Sequence, residues 1–183
     1  MKYFQNKQIL PLIVMGIIII IDVYPNITNA NSCIGGFSIE SFEKDSFLSV
    51  YDEYGYASHD VLVRKMGEMK FTNPRELEAA VETKLNILCP IGSDPSEIVP
   101  YFELNNFTCN AVNDSIGSRR NVYCTRRSFK RYPDYVVKHA KQIEPDLPED
   151  MLRFSVEWRI HIHLMEESVE GISVNLDLMR DAL

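Results

Sequence analysis

The sequence predicts an α+β domain in which N-terminal helices are followed by C-terminal antiparallel β-hairpins. Apolar residues recur at three- and four-residue spacing between Leu77 and Leu88, which is the period of one helix face. Residues 154–164 instead alternate strictly between apolar and polar, which is the period of a strand with one buried face. A helix with that second pattern would place polar side chains in its own apolar face, so the two segments need different secondary structures.

The helical part contains one well-marked helix and one weaker helix. A capping residue precedes Pro74 and Pro90 ends the apolar run, so we expect a helix over residues 72–88. Apolar residues recurring on one side predict a second helix over residues 58–69, although a glycine interrupts it. Residues 31–57 mix aromatic, glycine and acidic residues and give no assignment.

Two β-hairpins are predicted in the C-terminal half of the chain. Their strands cover residues 102–111, 121–129, 154–164 and 172–178. Residues 113–118 have a strong turn composition, and residues 166–171 offer the second turn. Between the hairpins, residues 132–140 fit either a short helix that starts at Pro133 or another strand.

The first thirty residues have the order of a secretory signal peptide. Two lysines lie in a short polar opening, residues 9–21 carry no charge, and a stretch of small residues ends at Ala30. A membrane anchor is the alternative, but a spanning helix needs ~20 apolar residues and Asp22 ends this run early. We therefore expect residues 1–30 to be cleaved, which leaves a single secreted globular domain over residues 31–183.

All four cysteines follow the predicted leader. An even number in an oxidising compartment predicts two disulfides, for which three connectivities exist. If the first hairpin folds symmetrically about the bond between Ile116 and Gly117, Cys109 falls opposite Cys124. Opposed residues in a non-hydrogen-bonded pair have Cα atoms ~4.5 Å apart, which is within disulfide reach. That pairing leaves Cys33 with Cys89.

The same hairpin carries two glycosylation sequons, at Asn106 and Asn113. Their position in a secreted chain, beside a predicted turn, indicates that the hairpin tip faces water and that the chain is a glycoprotein. A third sequon, at Asn26, should be lost with the leader.

The charge of the chain is acidic overall but unevenly distributed. The net charge is −7, and the mature chain carries −8 because the leader's two lysines and one aspartate contribute +1. This balance argues against general nucleic-acid binding. Eight cations nevertheless lie in residues 119–141, opposed only by Asp134. We expect an exposed partner-binding cluster that contacts an acidic receptor or a sulfated glycan; the alternative is a strand face neutralised by the protein's own acids. The cluster consists of Arg126, Arg127, Lys130 and Arg131.

No catalytic residue or cofactor is predicted. His161 and His163 share one strand face and have a spacing suited to two metal ligands, but no third ligand lies nearby, so we interpret them as solvated histidines. No zinc-protease His-Glu pair, Gly-x-Ser-x-Gly elbow or Cys-x-x-Cys motif occurs. Each cysteine has a disulfide partner, which disfavours nucleophilic catalysis by a thiol. A pair of carboxylates that meets only in three dimensions stays open as a hydrolase site.

The segment around Arg131-Tyr132-Pro133, continuing to Lys141, resembles the Arg-x-Pro segment of the interleukin-17 cytokines. A related Tyr-Pro segment occurs in the trunk and noggin group of cystine-knot ligands. Residues 155–164 are similar to that family's next long strand, and residues 171–178 take the place of its final strand, so the resemblance covers roughly residues 122–180. The family's knot cysteines have no counterpart here, because no cysteine follows Cys124. The resemblance implies a cystine-knot-cytokine-like shape without the usual knot, and a secreted dimeric ligand without catalytic residues.

Together these features predict a secreted, non-enzymatic, cytokine-like ligand that binds an extracellular protein receptor or an acidic glycan. It should have no membrane span after the leader is removed. The alternatives are another secreted binding module (an inhibitor, a small-molecule carrier or an effector acting on a host protein), and then a carboxylate-based hydrolase. An internal apolar cavity would favour the carrier, and a cleft with two close carboxylates would favour the hydrolase. A flat hydrophobic patch at the hairpins would favour the ligand.

Overall fold

Five helices precede a four-stranded antiparallel sheet in a computed structural model that describes residues 33–113 and 119–180. The helices are α1 (Ile39–Lys44), α2 (Phe47–Tyr54), α3 (His59–Glu68), α4 (Pro74–Leu88), α5 (Ile98–Leu104) and, between the second and third strands, α6 (Asp134–Ile143). The strands are β1 (Thr108–Asn113), β2 (Arg119–Arg131), β3 (Arg153–Met165) and β4 (Ser168–Arg180). The α+β class with helices before strands is therefore confirmed. The predicted leader and the tip of the first hairpin lie outside the described residues.

The two predicted helices are present as α4 and α3, and local chemistry explains their limits. Asn73 caps α4 by accepting the Glu76 amide N–H at 3.1 Å, and Pro90 follows its last turn. Residues 31–57, which gave no assignment, contain α1 and α2. Each of these helices begins after a capping serine, Ser38 or Ser46, whose hydroxyl accepts a backbone N–H. Within the described residues, no helix combines the length and apolar character needed to cross a bilayer.

The strands form a meander in the order β1-β2-β3-β4. The strand predicted over residues 154–164 is β3, and β4 begins earlier than predicted, so only Glu166 and Glu167 connect the two. The segment 132–140 adopts the helical alternative, because α6 starts directly after Pro133.

One strand prediction was partly wrong. Residues 98–104 form α5, and the first strand begins only at Thr108. Ile98 and Phe102 explain the difference, because they are four residues apart and both fully buried, which is the spacing of one helix face. The predicted register of the first hairpin is confirmed, because Cys109 lies directly opposite Cys124.

The core lies between the helices and one side of the sheet, here called the inner face. The buried residues of β3 on this face include Val156, Trp158 and Ile160, and they pack in one cluster with residues of α1, α2, α4 and α5. The four cysteines form the bridges Cys33–Cys89 and Cys109–Cys124, with Cα atoms 4.9 Å and 4.0 Å apart. These are the pairs that the sequence predicted.

The free edge of β4 is closed by side chains of α4. Glu78 and Glu82 accept the backbone N–H groups of Leu176 and Val174 at 2.6 Å and 3.0 Å. Asn86 exchanges two hydrogen bonds with the backbone of Ile172. The three helix residues are four positions apart, a rise of ~6.0 Å, and their three strand partners are two positions apart, a rise of ~6.7 Å. Because these distances are similar, each helix side chain lies beside its strand partner. The helix thus occupies the place of a fifth strand and blocks edge-to-edge association there.

Candidate functional site

The side of the sheet that points away from the helices, here called the outer face, is an accessible surface to which both hairpins contribute. Strand alternation and register assign to it the odd-numbered residues of β2 and β3, those of β4 from Gly171 onward, and the even-numbered residues of β1. Side chains on this face are exposed or partly exposed on every strand, except Ser155 and Glu157 on β3. Phe129 is 55% exposed, so the face offers an aromatic side chain as well as polar groups.

A charged row crosses three strands of the outer face. Arg127 donates two hydrogen bonds to Glu157, at 2.9 Å from Nε and 2.5 Å from Nη2. Arg159 donates a third from Nε at 2.7 Å, and its Nη1 lies 2.7 Å from Asp177. Hydrogen bonds from Arg159 and then Arg127 hold the pKa of the Glu157 carboxyl below its ordinary value. Glu157 is therefore ionised at neutral pH, and the row orients side chains on three neighbouring strands.

The two histidines lie on the outer face, as the strand pattern predicted, and each contacts neighbouring strands. His163 is 3.0 Å from Asn121 Oδ1 and 3.2 Å from Ser173 Oγ, and the ring of His161 meets that of Tyr123 edge-on. Burial, as the largest cause, lowers the pKa of His161, so this ring is neutral at pH 7. Among the residues that the structure describes, no group of three or more His, Cys, Asp or Glu side chains is arranged to hold a metal.

Arg131, Arg153 and Phe129 form what we call the basic corner of the outer face. Arg131 and Arg153 are direct cross-strand partners, and like charges in that position are destabilising. Arg131 lies 3.8 Å from Asp134, whereas Arg153 forms no ion pair with any described residue. Among the described residues, the corner therefore places one arginine without an acidic partner, Arg153, next to an exposed aromatic ring.

The predicted partner-binding cluster is split between the two faces, so its expected exposure was wrong for half of its members. Arg126 and Lys130 lie on the inner face, with side chains only 11% and 15% exposed. Arg127 and Arg131 lie on the outer face and are 51% and 58% exposed. The physical reason is the strand period, which sends consecutive side chains to opposite faces.

The two inner-face cations attach helices to the sheet. Lys130 pairs with Asp52 of α2, and Arg126 pairs with Glu40 and Glu43 of α1, the latter at 2.9 Å. Glu43 also accepts the indole N–H of the fully buried Trp158 at 2.6 Å. We call the arrangement of Arg126, Glu43 and Trp158 the Glu43 cluster. It gives Arg126 a structural role, and the pair with Asp52 gives Lys130 one.

The sequons sit at the two ends of the edge strand β1. Asn106 is exposed, has φ of 63°, and ends the connection from α5. Asn113 is the last residue of β1, and the rest of its sequon lies outside the described residues. The accessible position of Asn106 is compatible with the predicted modification.

Neither protein-family models, nor curated protein sequences, nor solved structures gave a match to this chain.

A cavity of about 530 Å³ opens beside the end of the sheet. Buried apolar residues, among them Val122 and Ile162, contribute to its lining. Arg120 lies at this cavity and forms no ion pair with a described residue. Three carboxylates also line it, those of Asp94, Glu166 and Glu167.

Proposed function

We propose that this chain is a secreted, non-enzymatic binding protein that contacts an acidic extracellular partner through the outer face of its sheet. The observation that carries the proposal is the basic corner, where two opposed arginines lie beside an exposed phenylalanine in a chain of net charge −7. Opposed like charges cost stability, so an acidic partner that neutralises them would relieve this cost. An anionic partner would neutralise Arg153 and would add to the contact that Arg131 makes with Asp134.

The charge of the whole outer face points in the same direction. Five arginines lie on it, at positions 119, 127, 131, 153 and 159. Four acids accompany them, namely Glu157 and Asp177 in the charged row, Glu170 beside Arg119 and Asp134 beside Arg131. The face thus carries a local charge of +1 in a chain of net charge −7, and cationic surfaces steer association with acidic partners.

The dimensions of the face suit a protein partner. Three strands of thirteen residues extend about 43 Å and the six residues of β1 about 20 Å, and at about 4.8 Å between neighbouring strand axes this gives roughly 500 Å² before side chains are added. A standard protein–protein interface buries about 800 Å² on each partner. The outer face with its side chains is therefore close to the size that a specific complex needs.

The more specific form of the proposal is a cytokine-like ligand, by the resemblance of residues 131–141 and the following strands to the interleukin-17 family. Receptor binding as a homodimer belongs to this form. Secretion is supported by the predicted leader and is compatible with the two disulfides.

A second candidate function is small-molecule binding in the cavity of about 530 Å³, because ligand pockets typically measure about 300–1,000 Å³. The apolar lining and Arg120 would suit an amphipathic ligand, which the protein would then carry. The three carboxylates at the same place are where hydrolase activity would be sought, by comparing the wild type with Glu166→Gln and Glu167→Gln on glycoside substrates.

Replacing both arginines of the basic corner should weaken binding to acidic probes without unfolding the protein. We expect R131S/R153S to bind heparin, or a poly-glutamate peptide, about tenfold more weakly, which corresponds to about 1.4 kcal/mol. The dependence on salt should also become shallower, since fewer charges are screened. The thermal midpoint should stay the same or rise slightly, because the like-charge pair is removed.

The matched control is R64S/R75S, which removes two exposed arginines from α3 and α4. If the partner is a sulfated glycan, the wild type should bind heparin more tightly than poly-glutamate. If the partner is an acidic protein, the wild type should bind the poly-glutamate peptide. Equal losses in the two double variants would contradict the proposal, and so would a wild type that binds neither probe. Biolayer interferometry at several salt concentrations provides the measurement.

A further inference from the structure

A second cavity, of about 440 Å³, lies between α2, α3 and the start of α6, away from the outer face. Its lining is Tyr51, His59, Leu62, Val63, Met66, Tyr132, Pro133, Tyr135 and Val136. None of these nine residues is an aspartate, glutamate, lysine or arginine. The cavity therefore presents apolar and aromatic surface with a few hydroxyl groups and one imidazole.

Three tyrosines, Tyr51, Tyr132 and Tyr135, contribute to the cavity lining. Burial is the main cause that raises the pKa of Tyr51, and the phenols of Tyr135 and Tyr132 raise it further. Two of the three, Tyr51 and Tyr132, also pack on the same ring, that of Phe154. Apolar pockets with a small number of converging polar groups are the usual form of small-molecule sites.

The walls of this cavity are held by contacts that do not depend on an occupant. The Asp134 N–H donates to the Gly55 carbonyl at 2.7 Å, which ties α6 to the end of α2. The rings of Tyr51 and Tyr132 both pack on Phe154 of β3, with centroids 4.9 Å and 5.4 Å away. The opening is thus preformed, and binding there requires little ordering of the protein.

The rim of the cavity leaves apolar surface in contact with water. Val63 is 54% exposed, and Tyr135 is 39% exposed while packing edge-on against His59. Covering such apolar surface with a ligand lowers the free energy of the system. A charged ligand would lose its hydration without meeting an opposite charge in the lining, which is costly.

We infer that this cavity binds an uncharged small molecule that has an apolar body and at least one hydrogen-bonding group. The volume corresponds to roughly fifteen water molecules at ~30 Å³ each, which sets the size of the ligand. The hydroxyls of Tyr51 and Tyr135 would bond its polar group, and Leu62, Val63 and Met66 would contact its apolar body. This site is separate from the outer face, so the inference does not depend on the proposed partner.

The test uses N-phenyl-1-naphthylamine, a neutral fluorescent probe with one N–H group, and the full secreted chain. We expect saturable fluorescence enhancement with the wild type and about tenfold weaker binding to Val63→Arg, which equals about 1.4 kcal/mol. Val63 is largely exposed, so this change should leave the fold intact, and circular dichroism checks that. Ile87→Arg is the matched control, because Ile87 is an exposed apolar residue on α4 away from the cavity.

Two further variants separate this site from the other surfaces. The double variant Y51F/Y135F removes two hydroxyl groups at nearly constant shape and should also weaken binding, whereas R131S/R153S should bind the probe like the wild type. The anionic probe 1-anilinonaphthalene-8-sulfonate should bind more weakly than the neutral one. No enhancement with the wild type, or equal affinities for Val63→Arg and Ile87→Arg, would overturn the inference. Preference for the anionic probe would overturn it as well.

Discussion

Removal of the Cys33–Cys89 bridge in a C33A/C89A variant should lower the free energy of unfolding by about 4 kcal/mol. The two cysteines are 56 residues apart in sequence, and closing a loop of that length restricts the unfolded chain by about this amount in the chain-entropy model. Cys89 is also fully buried, so its loss removes packing at the end of α4. Since small domains are stable by only about 5–15 kcal/mol, the variant should be markedly sensitive to urea.

The comparison for this result is the C109A/C124A variant. That bridge spans only 15 residues, and the same model assigns it about 3 kcal/mol. Urea unfolding followed by tryptophan fluorescence reports on both, because the single tryptophan, Trp158, is buried in the core. A larger loss in C109A/C124A than in C33A/C89A would show that local strain or packing, and not loop length, determines these contributions.

Glu43→Ala is the substitution with the next largest expected effect, about 3 kcal/mol. Glu43 accepts hydrogen bonds from Arg126 and from the buried indole of Trp158. Removing one partner of a largely buried ion pair typically costs about 3–5 kcal/mol. Glu40 still pairs with Arg126, which places the expected value at the lower end. The same experiment should show a shifted Trp158 emission, because its N–H loses its acceptor.

Glu43→Gln separates the two contributions, since an amide oxygen still accepts the indole N–H but carries no charge. We expect it to lose less stability than Glu43→Ala. The control is Glu103→Ala, which removes an exposed carboxylate from α5. Equal unfolding midpoints for Glu43→Ala and Glu103→Ala would mean that the Glu43 cluster does not hold α1 on the sheet.

Patterns with a short period were sufficient to predict much of this fold. The alternation in residues 154–164 predicted β3, and hairpin symmetry about Ile116 and Gly117 predicted the register that joins Cys109 to Cys124. The helices α1 and α2 were not predicted, although the capping serines Ser38 and Ser46 precede them. The helix α5 was missed because its seven residues contain aromatic and β-branched side chains that also suit a strand.

The sites depended on long-range geometry, which a single sequence does not contain. The contact between Glu43 and Trp158 joins residues 115 positions apart. The basic corner combines Arg131 with Arg153 through the pairing of β2 and β3, and sequence reasoning missed Arg153 because it searched for cations that are contiguous in the chain. Applying the strand period to residues 126–131 would have divided the cluster correctly into two faces.

The division of the four cations between the two faces of the sheet is tested most directly by two double variants measured side by side. R126S/K130S removes the inner-face cations and should lower the free energy of unfolding by about 3 kcal/mol, because the largely buried Glu43 loses its cation. R127S/R131S removes the outer-face cations and should change stability by less than about 1 kcal/mol, since those side chains are half exposed.

Binding to the two acidic probes, heparin and poly-glutamate, is then compared at a temperature where both variants are folded. We predict that R127S/R131S binds about tenfold more weakly than the wild type, whereas R126S/K130S binds like the wild type despite its lower stability. The reverse outcome, with R126S/K130S stable but unable to bind and R127S/R131S unfolded or fully active, would contradict the assignment of the two faces and the proposed function with it.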